Sequence, residues 1–199
     1  MEALELLVLI VIDGLDSAGK STQALRLYSY FTRQGKTVCL RFHPSNDNFF
    51  GIKAKQYLYS RGRSTRFVVA FFYMLDVIHS ILLYSWQKYD YVIFTRYLMG
   101  TAYLPPPLHK IAYYFFASVV PTSDHMYFLD VSPEAAHRRI EQNRRTRETF
   151  ESLEELKRTR LKAISLVSDG RWTIIDANNS SENVEKELEK KVPAIESHN

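Results

Sequence analysis

An unbroken apolar run, Leu6–Ile12, leads within two residues into Gly14-Leu15-Asp16-Ser17-Ala18-Gly19-Lys20-Ser21. That octet fits G-x-x-x-x-G-K-[ST] at every position, and helix-forming residues from Lys20 to Arg33 follow it. Continuous β-branched and Leu runs belong to strands buried on both faces. A buried strand, a glycine turn and a helix, in that order, commit the chain to an α/β sheet whose first turn cradles phosphate. The glycines let successive backbone N–H groups face one anion, and the helix N-terminus adds partial positive charge. Chance produces such a match in a chain of 199 residues on the order of 1% of the time, before the strand–loop–helix context is counted.

The loop assigns roles to its own residues. Gly14, Ser17, Ala18, Gly19 and Thr22 would surround the phosphates of bound ATP, Lys20 would reach the β- and γ-phosphates, and the Ser21 hydroxyl would ligate Mg²⁺. Asp16 also falls in this ATP-binding segment, where a carboxylate among anion-holding groups is costly. It needs another partner, such as a sugar hydroxyl or metal-bound water.

Strand and helix patterns alternate along the rest of the chain. Strands are expected at Thr37–Phe42, Tyr91–Thr95, Met126–Asp130 and Trp172–Ile175, with helices at Ile52–Ser60, Thr65–Lys88, Leu108–Val119 and Glu182–Lys191. Gln34-Gly35 suits a helix C-cap, Ser132-Pro133-Glu134 a helix start, and Ser152-Leu153-Glu154-Glu155 a capping box. Asp130, at a strand end, is expected to cap the Ser132–Pro133 turn rather than organise a metal. Strands separated by helices imply a parallel sheet with helices on both faces, in one domain spanning 1–199.

Composition removes other classes. Hydrophobic residues make up 46% of the chain, which rules out global disorder. The longest apolar stretch, Phe67–Leu75, stops at Asp76, short of the roughly 20 residues of a membrane span. The single cysteine, Cys39, sits in a strand pattern and suits a reducing, cytoplasmic setting. A net charge of +4 gives no argument for nucleic acid. The six histidines show no metal-ligand spacing. More than half of the aromatic residues lie between Phe67 and Phe116, which makes the middle third unusually bulky.

Ile10–Asp16 followed by Gly19-Lys20-Ser21-Thr22-Gln23 resembles the opening of thymidylate kinases, nucleoside monophosphate kinases of the phosphate-loop class. The resemblance continues in order through Thr95-Arg96-Tyr97 with Ala102-Tyr103, Tyr127–Glu134 and Glu148-Thr149-Phe150-Glu151. It implies a three-layer P-loop kinase fold with a five-stranded parallel sheet flanked by helices. It also implies a typically dimeric enzyme that uses Mg²⁺ and transfers the ATP γ-phosphoryl to dTMP, giving dTDP. Asp16 would then contact the acceptor's 3′-hydroxyl, Arg96 its phosphate, and Tyr73 its base, with Tyr103 also in the acceptor set.

Five arginines, Arg138, Arg139, Arg144, Arg145 and Arg147, lie within ten residues. The cluster suits a lid at about 138–151 that brings guanidinium groups to the transferring phosphoryl. Ser17 occupies the loop position where some family members carry a catalytic arginine, so that role falls to Arg144, Arg145 and Arg147, beside Lys20 and Arg96. The family's acid before Arg-Tyr is Thr95 here, and its acceptor-holding arginine is Val77. Arg41, near the end of the second strand, is the expected phosphate contact. These departures leave a kinase for another nucleotide or nucleoside, or a regulator without catalysis, as alternatives.

Overall fold

Alternate residues of the same strands divide the interior into two layers. Ile10 and Ile12 pack with Ala24, Leu27 and Phe31, while Val11 between them packs with Val77, Phe94 and Phe116 on the opposite face. Burial of both faces is what a continuous apolar strand requires. The computed structural model describes residues 7–60, 65–84, 89–143 and 151–193.

The strands are β1 (Val8–Gly14), β2 (Val38–Phe42), β3 (Tyr91–Thr95), β4 (Met126–Asp130) and β5 (Thr173–Asp176). They form one parallel sheet in the order β2-β3-β1-β4-β5. The sheet grows in both directions from β1, so the crevice beyond the carboxyl ends of the central strands is the natural ligand site. Among the described residues the helices are α1 (Lys20–Arg33), α2 (Phe49–Leu58), α3 (Thr65–Tyr84), α4 (Leu108–Val119), α5 (Pro133–Asn143), α6 (Leu153–Val167) and α7 (Ser181–Glu189). The five-stranded parallel sheet flanked by helices is the P-loop kinase architecture implied by the sequence.

Several boundaries move for local reasons. β1 continues through Asp13 and Gly14, because these two residues pair with Phe128 and Leu129 of β4. α2 starts at Phe49 rather than Ile52, since Asn48 caps it by accepting the Gly51 N–H at 3.0 Å. A 3₁₀ turn at Met99–Tyr103 has no counterpart in the expected elements. The predicted C-cap holds: α1 ends at Arg33, and the Gly35 N–H donates to the Thr32 carbonyl.

Two side chains act differently from expectation. Asp130 does not cap the turn that follows it; both its oxygens accept from Arg160 of α6, Nε and Nη2 each at 2.7 Å. A bidentate guanidinium outcompetes a single backbone donor for a carboxylate. The Ser152 box is half formed: Ser152 Oγ accepts the Glu155 N–H, while the Glu155 side chain turns to Arg66 of α3 at 2.7 Å.

By length and composition, α3 could cross a membrane. Asp76 does not end it. This carboxylate is fully buried and accepts from Ser45 N–H (2.7 Å), Ser45 Oγ (2.6 Å) and Asn48 Nδ2 (2.7 Å), so α3 ties down the β2–α2 loop. Positions 85–88 of the expected helix lie outside the described residues.

Candidate active site

Two cavities meet at the carboxyl end of β1. The first, about 490 Å³, is lined by Ser17, Ala18, Gly19, Lys20, Ser21 and Thr22, by Arg139 of α5, and by Ala177 and Asn179–Ser181 after β5. The second, about 210 Å³, is lined by Asp13, Gly14, Asp16, His43, Pro44, Tyr73, Arg96, Gly100 and Tyr103, among others. Gly14 and Asp16, expected around ATP, therefore face the second cavity. Arg96 lines both.

The loop has the backbone its glycines foretell, with Gly14 at φ 146° and Gly19 at φ 95°. Among the described residues two non-glycine positions also hold positive φ, Ser17 at 59° and Arg96 at 55°, and both border a cavity. Strained backbone of this kind collects at ligand sites. Lys20 is buried, and its Nζ donates to the carbonyls of Gly14 (2.9 Å) and Leu15 (2.5 Å). Ser21 is exposed at the mouth of the first cavity.

Asp16 is a buried carboxylate held from both sides. Its Oδ1 accepts from Arg96 Nη2 at 2.9 Å and its Oδ2 from the Tyr103 hydroxyl at 2.6 Å. Burial alone would raise the acid, but the charges of Arg96 and Lys20 and these two hydrogen bonds hold it well below the usual carboxylate range. The same pairing raises Arg96 above its ordinary value against burial, so both groups stay charged.

Asp13 escapes the sequence pattern because β1 had been expected to end at Ile12. Its Oδ2 accepts the N–H groups of Tyr97 (2.8 Å) and Met99 (3.0 Å), and its Oδ1 that of Gly14 (3.0 Å). One carboxylate thus locks the Arg96 turn to the phosphate loop. Burial raises its acid, opposed by the Lys20 charge and those three donors.

Arg41 does not reach the second cavity. Its guanidinium pairs with Asp47 at 2.5 and 2.9 Å and lies 4.8 Å over the Tyr84 ring, so the loop acid six residues on takes the charge expected for a phosphate. The cations that do line this cavity are Arg96, Arg66 and Lys55. Arg66 is held by Glu155, and Lys55 by Asn46. No sequence signal marked either. His43 lines the same wall; its Nδ1 donates to the Thr95 carbonyl (3.2 Å), which leaves Nε2 to accept from Ser80 (3.0 Å). Burial pushes this imidazole down to about 4, so it is neutral.

In the arginine cluster, Arg138 is exposed. Arg139 donates to the Ser17 carbonyl (3.3 Å) and the Ala177 carbonyl (3.0 Å), bridging the loop to β5. Arg144, Arg145 and Arg147 lie outside the described residues, as does half of the expected lid; its first part, to Asn143, is the end of α5, and its last residue, Glu151, is buried.

Among the described residues no three His, Cys, Asp or Glu side chains gather as a metal site. The Ser21 hydroxyl beside a phosphate cradle suits Mg²⁺, which is held largely by substrate phosphates and water.

A family model described as thymidylate kinase matches residues 12–188. A probable thymidylate kinase of Staphylothermus marinus is 28% identical over 189 residues, covering 91% of this chain and 92% of that protein. A thymidylate kinase of Arabidopsis thaliana is 26% identical over 204 residues, covering 92% of this chain and 70% of that one. In fold, the thymidylate kinase structure from Candida albicans superimposes with a TM-score of 0.72 at 19% identity, covering 92% of this chain and 89% of that one.

Proposed function

Because the chain belongs to the thymidylate kinase family of ATP-dependent phosphotransferases, we propose that ATP fills the cavity at the phosphate loop and dTMP the cavity beside it. The observation that carries this reading is Arg96, which lines both cavities and so stands where a phosphoryl group would pass between them.

An oxygen of the dTMP phosphate attacks the γ-phosphorus, the bond from that phosphorus to the β–γ bridging oxygen breaks, and dTDP and ADP leave. Such transfers depend on position and on cations around the moving group. Lys20 and the loop N–H groups hold the donor phosphates. Arg96, fixed by Asp16, meets the acceptor phosphate, and Tyr103 secures Asp16 beside the acceptor sugar. Arg144, Arg145 and Arg147 supply further positive charge. The Ser21 hydroxyl would hold the Mg²⁺ that accompanies ATP, and that ion would neutralise phosphate charge.

The test is ADP release with ATP, Mg²⁺ and a panel of nucleoside monophosphates. Turnover with dTMP well above dUMP, dCMP and dGMP is expected. ATP binding without turnover on any acceptor would turn the reading to a regulator.

The enzyme works as a cytoplasmic homodimer in this reading. Support comes from the free, buried Cys39 and from the exposed apolar side chains Phe67, Phe71, Leu82 and Leu83 on α3. Sedimentation at micromolar concentration should give twice the chain mass of 23.3 kDa, and a monomer there would refute the dimer.

A further inference from the structure

Tyr73 has a ring to offer a base, but its hydroxyl is a separate matter. The side chain is buried (7% exposed) on a wall of the acceptor cavity. Its Oη has no hydrogen-bond partner, and among the described residues it is the one such buried side-chain atom on a residue lining that cavity. A buried hydroxyl left unpaired is costly, and on a cavity wall a ligand can supply the partner it lacks.

The neighbours cannot complete it themselves. The Asp13, Asp76 and Asp16 carboxylates lie near enough for their charges to act on the phenol, as does the Arg96 guanidinium. All three acids are already engaged, Asp13 with three backbone N–H groups, Asp16 with Arg96 and Tyr103, and Asp76 with Ser45 and Asn48. Gly100 fixes the ring from below: a Cβ there would sit 2.8 Å from Tyr73 Cε1 and 3.2 Å from Cζ, so glycine is what lets the ring lie this deep. Val77, one turn further along α3, is fully buried and apolar. Gly100, against the phenol end of the ring, follows Met99, whose N–H binds Asp13 beside Gly14, so the hydroxyl belongs to the end of the cavity shared with the phosphate loop. Three carboxylates and one guanidinium act on the phenol, and each of these acids is already bound by donors, so the neutral hydroxyl is the donor left without a partner to meet an arriving phosphate.

We propose that the Tyr73 hydroxyl donates a hydrogen bond to the 5′-phosphate of the acceptor, while its ring faces the base. Tyr73 then reports whether the acceptor is phosphorylated. This rests on the reading that the cavity takes a nucleoside monophosphate.

The test compares wild type with Tyr73→Phe, which keeps the ring, using dTMP as substrate and thymidine, the same base and sugar without phosphate, as competing inhibitor. A hydrogen bond to a charged group predicts a loss of about 10- to 100-fold in kcat/KM for dTMP. The thymidine inhibition constant should stay within about twofold, KM for ATP should be unchanged, and the variant should melt no lower than wild type. Equal losses for dTMP and thymidine would place the hydroxyl on the sugar or base and overturn the inference. So would no loss for either, or a clear drop in Tm, which would reveal a structural partner. A wild-type enzyme inactive on every monophosphate overturns the parent reading and this inference together, and that result is visible without the variant.

Discussion

Replacing Lys20 by Ala should lower kcat by about 10³- to 10⁴-fold, the scale on which removing a cation or donor from a phosphoryl-transfer transition state acts. The reason lies in where the loop puts the ammonium. Lys20 is 4% exposed, and its Nζ is held by the carbonyls of Gly14 and Leu15, with Asp16 Oδ1 at 3.8 Å. The charge is thus kept out of water, on the line between the phosphate cradle and the acceptor cavity, where a developing negative charge sees it least screened. The carbonyls it leaves behind belong to the loop, so Tm should fall modestly while the helices and sheet persist. Rapid-quench turnover, with ATP binding and melting measured on the same preparation, separates these effects. Lys20→Arg should not rescue the rate, because a planar guanidinium cannot take the place of a compact ammonium between two carbonyls. A near-normal rate for Lys20→Ala would mean that ATP does not use this loop.

What could be foretold and what could not follow one physical division. The β1–loop–α1 unit was legible because every residue that defines it lies within some thirty positions and obeys a local rule: a buried strand, a glycine turn, a helix start. Helix ends such as Gln34-Gly35 were legible for the same reason. Pairings across longer distances were not. Arg41 looked like a phosphate contact until Asp47 claimed it. Asp130 looked like a turn cap until Arg160, thirty residues on, bound both its oxygens. Arg66 reaches the acceptor cavity because Glu155 lies across from it, a pair separated by 89 positions that no periodicity encodes. Asp13 had a readable signal that the apolar pattern hid, a charged residue continuing a buried strand. A charge survives there only if something binds it.

Arg96→Ala should cost about 10³-fold in kcat with dTMP and should also destabilise the fold, by about 1–3 kcal/mol. Both losses come from one contact. Arg96 Nη2 donates to Asp16 Oδ1 at 2.9 Å, and without it a buried carboxylate keeps the Tyr103 hydroxyl and Lys20 as its named partners. The acid response identifies the cause. Asp16 is depressed in the folded state, so its stabilising contribution is present above the unfolded value of 3.8 and is lost as pH falls through the folded value. Removing Arg96 brings those two values together, so the variant's stability should depend less on pH below 3.8 than wild type's does. The backbone must be separated from the charge, since Arg96 holds φ at 55°, where any side chain is strained. Arg96→Gly relieves that strain and should be the more stable of the two variants, yet equally slow. If Arg96→Gly recovered the rate, the residue's contribution would be to the turn. If both remain slow and differ in Tm, the guanidinium is what the phosphoryl group meets between the two cavities.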